Sequence, residues 1–377
     1  MTPDQLAAQA TAILADLIAI DTTSRESNLD LIAYVERHLG QIGVTGRRVF
    51  NAEGTKANLY ATIGPVEPGG VVLSGHSDVV PVDGQNWTSD PWRLTRRGDR
   101  LFGRGTCDMK GFIATCLTRL ETLKAAARDR PIHFAFTHDE EVGCLGARDL
   151  VARLAGREIR PAMAVIGEPT EMRVIEGHKG CCEYTVRFTG AEGHGSAPEK
   201  GVNAVEYAAR YINRLLELRR LLIERCPEGS RFEPPHTTIN IGGLKGGHAH
   251  NIIAGKATLD WEMRPVGQAD MEFVKREIAA YVGDVLLPQM RQVAAHADIS
   301  TEVIGEVAGL LPMEENAARD LVFRLTGANR ADVVPFGTEA GLFQKIGMTA
   351  VICGPGSIDQ AHKPDEYVAL DQLGQSL

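Results

Sequence analysis

No stretch of the 377-residue chain approaches the roughly 18 consecutive apolar residues that a membrane-spanning helix needs. The beginning lacks the basic-then-apolar layout of a secretory leader, since Asp4 and Asp16 bracket an amphipathic stretch. None of the seven cysteines form a C-x-x-C pair; their number is odd and Cys181 and Cys182 are adjacent. That pattern does not suit a disulfide framework, so a reduced, cytoplasmic protein is expected. No block of Lys and Arg marks a basic face, and 40 Lys+Arg against 49 Asp+Glu leave a net charge of -9. Neither a nucleic-acid nor a membrane partner is therefore expected. Internal repeats and low-complexity tracts are also missing. Gly242-Gly243 and Gly246-Gly247 lack the Lys-Ser/Thr ending of a phosphate cradle and read as punctuation of a loop.

Hydrophobic residues make up 44% and charged residues 24%, which suffices for a globular core. At roughly 150 residues per domain the length implies two domains or three. Thr2-Pro3 ahead of Leu6, Ile13, Leu14, Leu17 and Ile18 predicts a capped amphipathic helix. Short apolar runs at 58–63, 71–73, 131–137 and 162–166 predict strands, and 111–123 predicts a helix. Strands separated by helices imply an α/β domain with a mostly parallel sheet flanked by helices. From 177 the style changes: strand 182–188, helix 203–225, strands 237–242 and 256–264, helix 269–282, strand 299–304. That order is the ferredoxin-like α+β unit. The expected parse is a discontinuous catalytic domain, 1–177 and 306–377, interrupted by an inserted α+β domain, 178–305.

In open α/β sheets, sites form at the carboxyl ends of strands. The polar clusters Gly75-His76-Ser77-Asp78, His138-Asp139-Glu140-Glu141 and Gly167-Glu168 occupy those positions. In an extended segment, residues i and i+2 point the same way, so Asp78 is expected to accept from the His76 ring and fix its tautomer. Taken alone, the pair also fits an ordinary loop His and Asp. Asp108 directly precedes a helix, which suits either a capping carboxylate or one that bridges two metal ions. Glu140 and Glu141 are adjacent like charges at a strand end, costly unless a cation sits nearby. One reading is a solvated acidic turn; the other makes Glu141 a ligand and leaves Glu140 as a proton shuttle. Together His76, Asp108, Glu141, Glu168 and His362 form a nitrogen and oxygen donor set without thiolates. It suits two divalent ions such as Zn or Co.

Four segments are specific in combination: Ser74-Gly-His-Ser-Asp78, Gly103-Arg-Gly-Thr-Cys-Asp-Met-Lys-Gly111, Asp139-Glu-Glu-Val-Gly143 and Gly167-Glu-Pro-Thr170. Ile20-Asp-Thr-Thr-Ser-Arg25, Lys56-Ala-Asn-Leu-Tyr-Ala-Thr-Ile63, Gly177-His-Lys-Gly180, Gly337-Thr-Glu-Ala340 and the run from Gly354 to Tyr367 add to them. With these segments the chain resembles, over essentially its whole length, the dinuclear-zinc amidohydrolase and peptidase family.

The resemblance implies that His76, Asp108 and Glu168 hold one metal, and Asp108, Glu141 and His362 the other. Glu140 would be the general base, Asp78 the partner of His76, and the Asp108–Met109 peptide bond cis. The inserted unit would be a lid and homodimerisation domain. Its His194 would reach the partner subunit's site and stabilise the oxyanion. Arg264 and Asn251 would grip the substrate carboxylate, and Thr338 and Glu339 would also bind substrate, Glu339 facing a cationic side chain. The implied reaction is hydrolysis of a small N-acyl amino acid, with N-acetyl-L-ornithine as the expected substrate. Succinylated substrates or dipeptides are the nearest alternatives. A non-catalytic metal-binding dimer and a Cys107-based amidase are the rival classes. Gly195 stands where the family more often has Ser or Ala, and Ala254 where Pro is expected.

Overall fold

The computed structural model describes residues 1–156 and 160–377, in two compact units. The first comprises 1–177, 312–333 and 338–377; the second comprises 178–311 and 334–337. The chain therefore leaves the first unit after Gly177 and returns at Pro312, with a brief excursion at 334–337.

The first unit is built on an eight-stranded sheet. Its order is Arg47–Phe50, Ala57–Ile63, Ile132–Thr137, Val71–His76, Met163–Ile166, Thr349–Ile352, Val174–His178, Ala331–Val334. The four central strands, from Ile132–Thr137 to Thr349–Ile352, run parallel, while Ala57–Ile63 and Val174–His178 pair antiparallel on either side. Those central strands are buried nearly throughout, so they read as apolar runs rather than alternating patterns. The helix Pro3–Ile18 starts where expected: Thr2 accepts the Gln5 amide and Gln5 answers with its side chain, a capping box. It buries Ala10, Ile13, Leu14, Leu17 and Ile18 against Phe134, Phe136, Ile113 and Leu117. Each Leu or Ile so buried contributes about 1.5–3 kcal/mol. Val165, Val351, Val174, Ala318 and Val322 form a separate apolar cluster around the central strands.

The predicted helix 111–123 is two, Lys110–Thr118 and Leu120–Ala126. The helices Leu29–Gln41 and Leu145–Ala155 are additions to the elements expected from the sequence.

The second unit is a four-stranded antiparallel sheet in the order Thr238–Gly246, Lys256–Arg264, Cys181–Thr189, Asp298–Val307. The helices Ala204–Glu224 and Gln268–Tyr281 pack their apolar stripes on it, with Tyr211, Leu215, Leu218, Val274 and Ile278 meeting Phe188, Leu259 and Trp261. This is the ferredoxin-like arrangement. Gly242, Gly243 and Gly246 are not loop punctuation: they lie within the strand Thr238–Gly246, which shifts register between Ile241 and Gly243. A Cβ on Gly246 would sit 2.9 Å from the Lys256 carbonyl oxygen, so the close strand approach requires glycine.

Candidate metal centre

His76 is the last residue of its strand and stands level with Thr137 on the parallel neighbour. The turn His138–Glu141 follows that neighbour directly, and Gly167-Glu168 follow Ile166 in the same way. Three acidic or imidazole groups thus emerge at one sheet edge because three parallel strands end there. Asp108 arrives from the turn before Lys110–Thr118, and His362 from the loop beyond Thr349–Ile352. The Asp108–Met109 peptide bond is cis.

Two donor groups result, each with its ligand atoms within 4.8 Å of one another: His76, Asp108 and Glu168, and Asp108, Glu141 and His362. Nε2 of His76 lies 2.9 Å from Oδ1 of Asp108 and 3.8 Å from Oε1 of Glu168. Nε2 of His362 lies 3.3 Å from Oδ2 of Asp108 and 3.0 Å from Oε2 of Glu141. Asp108 therefore presents one oxygen to each group.

The charge states follow from burial and proximity. Burial works against protonating His76, yet Glu168, Asp108 and Glu140 hold its pKa well above the ordinary value. Contacts with Asp108 and Glu141 raise His362 to about 10. Burial pushes Glu168 up, and burial with the neighbouring Glu141 and Asp108 pushes Glu140 to about 8, although His76 opposes this. Oε1 of Glu168 is buried without a hydrogen-bond partner. A shared carboxylate between two histidine–carboxylate pairs, with a buried oxygen left unpartnered, fits two divalent cations.

The acidic run at 139–141 is divided by its partners. Asp139, in a left-handed conformation, pairs with Lys56 at 2.5 Å and with Nδ1 of His138 at 3.0 Å. Glu141 joins the His362 group, and Glu140 belongs to neither donor group.

Two expectations are corrected here. The His76 ring does not use the Asp78 carboxylate; its Nδ1 is 2.9 Å from the Asp78 main-chain oxygen, with Oδ1 at 3.7 Å. The Asp78 carboxylate instead accepts the amides of Glu140 and Glu141 and the Ser24 hydroxyl. It orients the turn carrying those two glutamates. Glu339 does not present itself to a substrate: it is fully buried, and its two oxygens accept from Ser74 and Thr137 at 2.5 and 2.8 Å. It ties two strand ends together. Thr338 is buried and accepts the Ala340 amide. Cys107 is a poor nucleophile, because burial pushes its thiol well up and Sγ donates to the Ser357 carbonyl.

In the second unit, His194 is exposed and its Nδ1 engages the Ser196 hydroxyl at 2.7 Å. Arg264 pairs with Glu262, at 3.0 Å from Nε and 2.7 Å from Nη2. Glu262 also belongs to a third group of possible donors, with Cys181 and Glu183. Asn251 accepts the Gly195 amide through its carbonyl, and a Cβ on Gly195 would fall 2.9–3.0 Å from the Asn251 backbone. That close approach explains glycine there; nothing in the structure explains Ala254.

A mostly parallel α/β sheet bearing at its strand ends two candidate metal-donor groups that share Asp108 is an architecture suited to a metal-dependent hydrolase. Residues 72–377 match the family "Peptidase family M20/M25/M40". The chain is 35% identical to an acetylornithine deacetylase of Photorhabdus laumondii subsp. laumondii over 94% of its own length and 90% of that protein's. It superposes on an M20 metallo-carboxypeptidase from Sulfolobus solfataricus with a TM-score of 0.74 at 16% identity, covering 98% and 96% of the two chains. It superposes on a dinuclear metal-binding M20 peptidase from Bacillus subtilis with a TM-score of 0.65 at 16% identity, covering 99% and 96%. The protein belongs to the M20/M25/M40 family and is a metal-dependent hydrolase.

Among the described residues, no helix is long and apolar enough to cross a membrane.

Proposed function

We propose that the protein hydrolyses the N-acetyl amide of N-acetyl-L-ornithine to L-ornithine and acetate. The observation that carries the reading is the near full-length similarity to acetylornithine deacetylases, joined to an intact donor set with Glu140 beside it. His76, Asp108 and Glu168 hold one divalent ion, and Asp108, Glu141 and His362 the other. Zn or Co suits a donor set of imidazole and carboxylate without thiolate. Bound ions supply the positive charge that polarises the acyl carbonyl and acidifies water at the site.

Glu140 is the general base. Its burial beside other carboxylates raises its affinity for a proton, which suits a group that takes one from water and returns it to the departing amine. Asp78 keeps Glu140 in place through its amide. His194 stabilises the oxyanion, its Nδ1 bond to Ser196 leaving Nε2 for that role. Arg264 and Asn251 bind the substrate carboxylate, for which a guanidinium fork is suited.

The same reading makes the second unit a lid and homodimerisation domain in a cytoplasmic protein. The supporting features are seven cysteines engaged in no disulfide and the exposed Val303 and Ile304 on its edge strand.

The test is primary-amine release from N-acetyl-L-ornithine by chelator-stripped protein, with and without added Zn or Co. Metal-dependent release is expected. Folded, metal-loaded protein that releases no amine would retire this substrate in favour of succinylated amino acids or dipeptides.

A further inference from the structure

Arg104 is among the largest fully buried side chains of the protein, and it has no role in the hydrolysis described above. Its Nη1 donates to Oε2 of Glu366 at 2.6 Å, a buried ion pair. The other oxygen of Glu366, Oε1, accepts the backbone amides of Cys107 and Asp108 at 2.9 and 3.1 Å. Glu366 therefore grips the main chain at the carboxylate shared by both donor groups. Nη2 of Arg104 donates to Oε1 of Gln85 at 2.6 Å, and Nε2 of Gln85 donates to the main-chain oxygen of His362 at 3.0 Å. Arg104 also stacks over the Trp87 ring, 5.1 Å from its centroid. His362 itself has a left-handed backbone conformation, φ 62°, uncommon for a residue other than glycine.

One guanidinium is thus the hub of two arms. The Glu366 arm ends on the backbone of Asp108, and the Gln85 arm ends on the backbone of His362. The sequence separation between Glu366 and Asp108 is 258 residues, so no local structure sets their distance.

We propose that Arg104, Glu366 and Gln85 are positioning residues that set the spacing of Asp108 and His362, and so govern filling of the Asp108/Glu141/His362 metal site. The proposal rests on the donor assignment made under the proposed function. The site of His76, Asp108 and Glu168 has only one end on this network. Its histidine is fixed separately, through the Asp78 carbonyl. Loss of the hub therefore weakens the His362 site selectively. Outer partners that orient ligands typically contribute 10–100-fold in metal affinity.

The experiment titrates Co(II) into chelator-stripped, full-length protein, following calorimetric heat and visible absorption. The step abolished by His362→Ala identifies the His362 site. Gln85→Ala removes one arm at a partly exposed position, and Arg104→Lys keeps the charge but loses the fork. Arg48→Ala, which breaks a half-buried pair with Glu36 elsewhere, controls for lost stability. The expected result is a His362-site step weakened about 10–100-fold in Gln85→Ala and Arg104→Lys. The other step should stay within about threefold, and Arg48→Ala should change neither. Both steps weakened alike, or neither weakened while melting temperatures fall as in the control, would overturn the positioning role. Wild-type protein that takes up a single Co(II) would overturn the dinuclear assignment and this proposal with it, a different outcome from two unaltered steps in the variants.

Discussion

Gly167 precedes the ligand Glu168, and its missing side chain is filled by a neighbour. A Cβ built there would lie 2.0, 2.2 and 2.3 Å from Cγ, Cδ1 and Cδ2 of Phe112. Carbon atoms rest at about 3.5–4.0 Å, so Gly167→Ala requires a displacement of about 1.5 Å. Phe112 belongs to the buried core, in the helix that Asp108 leads into. Either that helix recedes or residues 166–168 do, and both routes move a proposed ligand. Overpacking of this kind costs about 1–3 kcal/mol. A ligand misplaced by about 1 Å costs on the order of a hundredfold in rate. The decisive assay is a double-mutant cycle in chemical denaturation, run on the metal-free protein. Phe112→Ala alone should cost about 3–5 kcal/mol through the cavity it leaves. The double variant should be less destabilised than the sum of the two by at least about 1 kcal/mol, because the ring atoms that obstruct a methyl group at position 167 are gone. Additivity within about 0.5 kcal/mol would refute the claim that the Phe112 ring occupies the place of a side chain at 167.

Glu140→Gln should retain both metals by elemental analysis while kcat falls about 10²–10⁴-fold, the usual contribution of a general base. Loss of metal in that variant would make Glu140 a ligand instead. His178 is fully buried with Nδ1 against the Lys179 carbonyl, and burial lowers its pKa from 6.5 to about 4. Its folded pKa lies below the unfolded value, so the unfolded chain binds the proton first as pH falls. The associated stability is complete above about pH 6.5 and is lost progressively down to about pH 4. Between about pH 7.5 and pH 5 it amounts to about 2 kcal/mol. In chelator, wild type should lose that much more stability than His178→Asn over this range. Equal losses in urea denaturation would show that His178 does not titrate this way.

The strand ends and their polar clusters were legible because the signals are local. An apolar run that stops at Gly75-His76 or at Ile166-Gly167 places the next polar residue at a sheet edge whatever the rest of the chain does. The change of pattern near 177 was legible for the same reason, as period-2 and period-3.6 segments in a new order. What the sequence misjudged were side-chain partners. The i, i+2 rule brings Asp78 near the His76 ring, but the backbone oxygen of the same residue is closer and takes the bond. The resemblance turns Glu339 toward a cationic substrate side chain, yet Ser74 and Thr137, on two neighbouring strands, hold both its oxygens. Asp139 stands in the same acidic run, and Lys56, from 83 residues away, sets it apart from the two glutamates.

By itself the sequence determined the alternation of strands and helices, the inserted α+β unit and the types of donor available at the strand ends. These depend on neighbours a few positions apart, where chain geometry alone decides which faces coincide. The tertiary structure decided which carboxylate faces two donor groups, which is cancelled by a lysine, and which clamps the backbone beneath. Glu366 lies in the run from Gly354 to Tyr367, and no local pattern there assigns it a role. Its function appears only when folding sets it beside Arg104 and the amide of Asp108. A buried charge is defined by the partners that surround it, and those partners come from segments whose meeting no local periodicity encodes.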